Sequence, residues 1–266
     1  MPLWFYMMLR SRVTFILGRF FRSTRIMRLT DFIVRNVVTR EATVHHRHFR
    51  IRLSHPNPQI RSRNETFATK EPDTLRWIDG FEAGASLWDI GANVGLYSVY
   101  AGLTGASVVA IEPSVFNLEF LARNIAANDV VNQVRILPVA LGGTGTGFAQ
   151  LNLQSTAWGD SQNAFATRRG QSGKIENFIM SYQILGLSLD ELVSKLGLSA
   201  PSHLKIDVDG IEPEILEGGP NVLLQVESVL VEVPTYPEAQ TKIEQCLLSS
   251  GLRLDSSHRR NQIWHR

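Results

Sequence analysis

A doubly wound α/β sheet is the architecture this sequence predicts. Three observations point to it: apolar runs of four to six residues recur from Ser86 onward, they end in glycine or acidic residues, and a segment of helical spacing follows each one. Parallel strands buried on both faces read as such continuous runs, and the right-handed crossovers that join them place helices on both sides of the sheet.

The chain of 266 residues is 44% apolar and 20% charged, enough to bury a full core. That balance excludes collagen-like, wholly disordered and polytopic membrane classes. The one cysteine, Cys246, rules out an intrachain disulfide or a multi-cysteine metal site and suits a reducing compartment. A net charge of +2 conceals an asymmetry. Up to Asn64 there are thirteen Arg, no Lys and two acids, so a basic arm precedes an acidic body.

In that arm, Met1 to Thr30 carries six arginines and no acids. No apolar run is long enough to span a bilayer, and the charge follows the apolar start, the reverse of a secretory signal. Arg19, Arg22, Arg25 and Arg28 make a drifting basic stripe beside Phe20, Phe21 and Met27 if the segment is helical. A helix packed on the body with solvated arginines and a peripheral contact with an anionic membrane both fit; an organellar presequence and nucleic-acid contact fit less well. Residues 1–40 are therefore expected to form a basic amphipathic arm, 41–84 a strand and helix extension, and 85–266 the main domain.

Within the extension, Phe49, Ile51 and Leu53 alternate with Arg50 and Arg52, which predicts a half-exposed strand ending before Pro56 and Pro58. His45, His46, His48 and His55 lie nearby without a carboxylate or cysteine at ligand spacing, and an exposed polar face accounts for them as well as a metal does. Further on, the expected strands are Ser86–Ile90, Val108–Ile111, Val134–Leu137, His203–Val208 and Ser228–Val233. The expected helices are Leu96–Leu103, Val115–Asn128, Leu189–Leu196, Glu212–Leu224 and Glu238–Ser250. Ser188 through Glu191 is a capping box, Pro213 suits a first helical turn, and Gly218-Gly219-Pro220 interrupts or divides its helix. Leu252–Leu254 and Asn261–Trp264 read as two final strands. The glycine-rich run at 142–147 has no following lysine and helix, so it reads as a tight turn rather than a phosphate loop. Asn152–Asn177 has weak periodicity and reads as a substrate lid or a plain surface loop.

Asp89-Ile90-Gly91-Ala92-Asn93-Val94-Gly95 closes the first strand of the body and opens its helix, where ligands meet strand C-termini in a doubly wound sheet. The third glycine of a dinucleotide turn is missing, and a leading carboxylate would repel a pyrophosphate. Glu112 ends the next strand at the spacing of a ribose-binding acid. An acid at each position describes S-adenosylmethionine better than NAD.

The segments DIGANVGLYS, IEPSVFNLEFLARNIAAN, LSLDEL, LKIDVDGIEPEILEGG and VLVEV resemble successive motifs of the FkbM-type methyltransferases. The resemblance runs from about Glu65 to the C-terminus and implies a Rossmann-like class I methyltransferase sheet, with S-adenosyl-L-methionine as cofactor and O-methylation as the reaction. It also implies that Asp89, Gly91, Asn93 and Gly95 surround the amino-acid part of the cofactor and that Glu112 holds its ribose. Asp209 stands where the family carries glutamate. The implied acceptor is a hydroxyl on a glycan, a lipid-linked sugar or a secondary metabolite.

Lys205-Ile206-Asp207-Val208-Asp209-Gly210-Ile211-Glu212 gathers ionisable groups at the end of a strand that should be central, a costly arrangement unless they are paired or functional. Asp207 is the first candidate to orient or deprotonate the acceptor hydroxyl. Lys205 would stabilise the developing alkoxide or hold Asp207 in place, and Glu212 and Glu232 complete the catalytic set. A Lys–carboxylate network that only fixes the strand explains the same residues. A divalent metal on Asp207, Asp209 and Glu212 is an alternative, but no metal is expected. A nucleic-acid methyltransferase and an inactive membrane-associated binding protein are the other readings of function; nucleic acid is not the expected partner. The expected location is cytoplasmic, with peripheral membrane contact through the arm.

Overall fold

The computed structural model describes residues 27–33, 40–143 and 147–266. Residues 27–33, which include Met27 and Arg28, are helical with most of their side chains exposed, whereas Arg19, Arg22, Arg25, Phe20 and Phe21 of the expected stripe lie outside the described residues. No helix among the described residues is long and apolar enough to cross a membrane.

The extension begins with an antiparallel hairpin, β1 (Glu41–His46) and β2 (Phe49–Ser54). Its first half eluded the sequence pattern because β1 is polar and half exposed, and Arg47 makes the turn at φ 52°. Three short helices follow: α1 (Pro58–Glu65), α2 (Phe67–Lys70) and α3 (Pro72–Asp79). Asn57 caps α1 by accepting from Ile60 N at 2.8 Å, with Pro58 in the first turn where its missing N–H costs nothing.

The main sheet has seven strands in the order β12-β13-β11-β10-β3-β4-β5. They are β3 (Ser86–Ile90), β4 (Ser107–Ile111), β5 (Val134–Leu137), β10 (His203–Ile206), β11 (Ser228–Glu232), β12 (Arg253–His258) and β13 (Asn261–His265). The five inner strands from β5 to β11 are parallel, and the C-terminal hairpin adds antiparallel β13 and β12 at one edge. The chain order reverses between β3 and β10, which opens a crevice at their C-terminal ends. This is the doubly wound, Rossmann-like sheet expected. Helices α4 (Leu96–Leu103), α5 (Val115–Ala127), α6 (Leu189–Ser194), α7 (Glu212–Glu217), α8 (Pro220–Leu223) and α9 (Pro237–Ser249) cover it.

Strand alternation divides the core into two layers. Trp88, Ile90, Leu204, Ile206, Val229 and Val231 pack into one layer, and Leu87, Val108, Ala110 and Leu230 into the other with Tyr100 of α4. Near the strand N-termini of the second layer, Trp77 Nε1 donates to Ser228 Oγ at 2.8 Å, and Ser228 Oγ lies 2.8 Å from His203 Nδ1.

Strand β10 stops at Ile206, one detail that differs from the expectation, so Asp207 and Val208 lie in the loop beyond it. The helix expected over 212–224 is divided at Gly218-Gly219-Pro220 into α7 and α8: a Cβ on Gly219 would sit 2.5 Å from Leu189 Cδ1 and one on Gly218 would sit 2.8 Å from Gly142 O, so the chain passes too close to its neighbours for side chains there. Most of 152–177 is loop, and it connects strands of a second sheet, β6-β9-β7-β8, comprising β6 (Ala140–Leu141), β7 (Phe148–Leu153), β8 (Ala164–Phe165) and β9 (Met180–Leu187). The tight turn expected at 142–147 falls partly outside the described residues.

Candidate active site

A cavity opens above the C-terminal ends of β3, β4, β10 and β11, at the point of the sheet where the strand order reverses and ligands are bound in such folds. Gly91, Asn93, Glu112, Asp207 and Glu232 line it, so five of the nine residues singled out from sequence meet in one place. Asp89, Gly95, Lys205 and Glu212 are not among its lining residues.

The donor side is built on the turn after β3. Gly91 has φ +80°, and a Cβ there would lie 1.9 Å from the carbonyl oxygen of Asp207, so glycine lets the loops after β3 and β10 touch. Asn93, at φ 52°, donates its backbone N–H to Glu112 Oε2 at 2.8 Å. Glu112 Oε1 accepts from Ser114 N at 2.8 Å and from Asn117 Nδ2 at 3.3 Å. Three of the roughly four acceptor positions of a carboxylate are thus filled, which leaves about one for a ligand hydroxyl. Burial raises the Glu112 pKa to about 7 against these hydrogen bonds.

A loop of the insertion lies across this turn. The Asp160 carbonyl accepts from Asn93 Nδ2 at 2.9 Å and from Asn117 Nδ2 at 3.0 Å, and Asn117 Oδ1 accepts from Gly159 N. Residues of the extension hold the same loop, with Asn57 Nδ2 donating to Trp158 O and Gln59 Nε2 to Gly159 O. On the far side, Gln162 N donates to Asp209 Oδ2 at 2.6 Å. Asp209, whose carboxyl is raised to about 6 by burial and the nearby Asp207, therefore fastens the loop that the weak periodicity of 152–177 marked out.

Asp89 and Lys205 are directly opposite one another in the β3–β10 register, on the same face of the sheet. Lys205 Nζ lies 3.4 Å from Asp89 Oδ1 and 3.3 Å from Asp207 Oδ2, and Ser98 Oγ donates to Asp89 Oδ2 at 2.6 Å. Asp89 is 1% exposed and Lys205 2%. Strand alternation turns the Asp89 carboxylate inward, away from the cavity lining, where it anchors Lys205. Of the two roles expected for Lys205, holding Asp207 is the one its position supports. Burial works against the Lys205 ammonium, but Asp207, Asp89 and Glu71 outweigh it and keep its pKa above the ordinary lysine value. Tyr97 lies alongside, its ring centroid 5.3 Å from Nζ and its hydroxyl donating to Glu71 Oε2.

Asp207 and Glu232 form the other wall. Burial pushes the Asp207 pKa up, yet Lys205 and a hydrogen bond from Glu232 outweigh it and hold it below the usual aspartate value. Burial and the Asp207 charge raise Glu232 to about 8, against Arg260 at 2.5 Å and Gln171 at 2.9 Å. The pair is therefore a carboxylate beside a proton-bearing carboxyl near neutrality. Glu212 is completely buried, and its two oxygens accept from Val208 N at 3.1 Å and Gly210 N at 2.9 Å. Its carboxyl, raised to about 8 by burial, staples the loop and is not among the groups lining the cavity. Gly95 likewise serves packing, since a Cβ there would meet Leu121 Cδ1 at 2.4 Å.

Arg63, Lys70, Glu71, Asn117, Asp160, Asn163 and Arg260 also line the cavity and were not singled out from sequence. Asn117 carries a legible signal, a polar residue on the inward face of α5; the others arrive through long-range folding. The buried side-chain oxygen of Asn163 has no hydrogen-bond partner, so it can accept from a ligand. Six carboxylates against three cations, together with free acceptors at Glu112 and Asn163, fit a cationic ligand rich in hydroxyl and amino donors. Among the described residues no three His, Cys, Asp or Glu gather as a metal-binding group.

Residues 89–254 match the family model for the methyltransferase FkbM domain. The chain is 28% identical over 186 residues to methyltransferase sdnD of Sordaria araneosa, covering 61% of this chain and 71% of that protein. It is 29% identical over 164 residues to the hexuronic acid methyltransferase AglP of Haloferax volcanii, covering 61% of this chain and 62% of the relative. A crystal structure of methyltransferase FkbM from Methylobacillus flagellatus KT aligns at a TM-score of 0.46 and 16% identity, covering 70% of this chain and 44% of that one. The chain thus spans less than two thirds of the length of AglP and of that solved chain.

Proposed function

The chain belongs to the FkbM methyltransferase family, and from that premise we propose that it is an S-adenosyl-L-methionine-dependent O-methyltransferase acting on a hydroxyl of a glycan, lipid-linked sugar or secondary metabolite. The observation that carries this reading is the single acidic cavity in which Gly91, Asn93 and Glu112 face the same space as Asp207 and Glu232. The sugar substrate in the name of AglP supports the acceptor class.

When bound, the cofactor supplies an electrophilic methyl group on a sulfonium. Glu112 accepts a ribose hydroxyl through its remaining acceptor position, and Asn163 accepts a second donor. The acidic excess of the walls favours the positive sulfur. Asp207 accepts a hydrogen bond from the acceptor hydroxyl and so orients its oxygen for in-line attack. As the acceptor oxygen gives up a lone pair, its proton would become far more acidic, and Asp207, a carboxylate of low basicity, would suffice to take it. Lys205 fixes Asp207 from behind, and the Glu232 carboxyl hydrogen-bonds its other side, so Asp207 keeps its orientation and its charge.

The test is equilibrium binding of S-adenosylhomocysteine and transfer of labelled methyl groups into extracts. Micromolar binding with methylation of a hydroxyl-bearing product is expected. Absence of saturable S-adenosylhomocysteine binding would overturn the proposal, and Asp207→Asn should abolish transfer while preserving that binding.

A further inference from the structure

The charges around the cavity divide by their origin in the chain. Of the six acids, Glu112, Asp160, Asp207, Asp209 and Glu232 lie inside the span matched by the family, 89–254, and Glu71 lies outside it, as do all three cations, Arg63, Lys70 and Arg260. Arg63 sits in the last turn of α1, Lys70 ends α2, and Arg260 lies in the turn between β12 and β13. Folding brings these distant segments to the reacting end: the charges of Arg63 and Arg260 act on Asp209, and that of Lys70 acts on Asp207.

Two of the three cations have carboxylate partners, Lys70 with Glu71 at 3.3 Å and Arg260 with Glu232 at 2.5 Å. Arg63 does not. Among the described residues its side chain has one polar partner, Ser161 Oγ at 3.3 Å, and no carboxylate within ion-pair distance. A guanidinium offers five N–H donors in a planar fork that matches a carboxylate or a phosphate, and this one is half buried on a cavity wall, where such bonds are less screened than in open water. If these cations served only to neutralise the cavity's own acids, each would be expected beside one.

We propose that the hydroxyl acceptor also carries an anionic group, a carboxylate or a phosphate, which Arg63 binds while Lys70 and Arg260 add supporting charge and the hydroxyl meets Asp207. The proposal deepens the methyltransferase reading and rests on it. It makes the segments flanking the family core the specificity-determining part of this chain, and Arg63 its principal recognition residue.

The experiment uses the full chain saturated with S-adenosylhomocysteine and titrated by calorimetry with glucose, glucuronate and glucose 6-phosphate. At least one anion should bind roughly tenfold or more tightly than glucose, in line with a charge-assisted contact, and rising salt should erode the advantage. The tighter of the two identifies carboxylate or phosphate as the favoured group. Arg63→Gln should shrink the advantage to less than about threefold and Arg63→Lys should restore part of it, with S-adenosylhomocysteine affinity retained in both. Failure of both anions to bind, equal affinity for all three sugars, or an advantage that survives Arg63→Gln overturns the proposal. Failure to bind S-adenosylhomocysteine overturns the parent reading instead.

Discussion

Replacing Lys205 with methionine removes the cation between two carboxyls while keeping most of the side-chain volume. At 3.4 Å and an effective dielectric of about 20, Coulomb's law gives roughly 5 kcal/mol for the Asp89–Lys205 attraction, part of which is offset by the cost of burying both charges. The Asp207 limb adds less, because its side chain is 33% exposed and screened by water. Breaking such a pair from one side strands a buried charge, so Lys205→Met should lose about 3–5 kcal/mol at pH 7.5. Urea unfolding followed by tryptophan fluorescence measures it, with Trp88 next to Asp89 in β3 as a buried reporter. Without the cation, burial acts on Asp207 unopposed by Lys205, and its carboxyl holds a proton more tightly in the folded chain than in the unfolded one. The variant therefore gains stability relative to the parent as pH falls, and its deficit at pH 5 should be smaller by about 1 kcal/mol or more. Adding Asp89→Asn removes the stranded charge and should recover about 1 kcal/mol or more. A deficit under about 1 kcal/mol at pH 7.5, or one identical at both pH values, would refute the account of a buried, charged triad.

Gly91→Ala should cost about 2–5 kcal/mol, combining a left-handed backbone with a Cβ driven into the Asp207 carbonyl, and thermal or urea unfolding reads it. Glu112→Gln turns an amide N–H₂ toward backbone donors, so it should cost about 1–3 kcal/mol of stability and weaken S-adenosylhomocysteine binding about tenfold in a calorimetric titration. Glu112, Glu212 and Glu232 hold their protons to about 7, 8 and 8 in the folded chain, above the unfolded value, so their contribution is complete at acid pH and is lost as pH rises through those values. Above pH 7.5, where unfolded histidines are about nine-tenths deprotonated, unfolding midpoints should fall up to pH 8.5, and a flat profile there would contradict the raised values of Glu212 and Glu232. Glu212→Gln should flatten that slope while costing stability through the Val208 and Gly210 amides.

Much of this molecule is written locally. The inner strands of the main sheet are continuous apolar runs, and their helices carry caps and periodicity that need no tertiary information, as at the Ser188 capping box. The second sheet was not legible in this way: β6 and β8 are two residues each, and β9 has exposed or half-buried residues over most of its length, so no period stands out. For the site, the position of Asp89 at a strand end was readable, but its direction was not. Only the register that sets Lys205 opposite it decides that the carboxylate turns into the core. Glu212 is similar, because a loop closing back on its own helix start consumes an acid that spacing alone makes available. Arg63, Lys70 and Arg260 had no local signal, since each is an ordinary surface cation until the extension and the C-terminal hairpin are folded against the crevice.

The chain of contacts from Trp77 through Ser228 to His203 has a direction. An indole nitrogen can only give a hydrogen, so one lone pair of the Ser228 hydroxyl is committed to Trp77, and the His203 imidazole meets what remains, one lone pair and one hydrogen. A tryptophan on α3 thereby constrains a ring on β10, and Trp77→Phe should change the tautomer populations that nitrogen-15 spectra of His203 report.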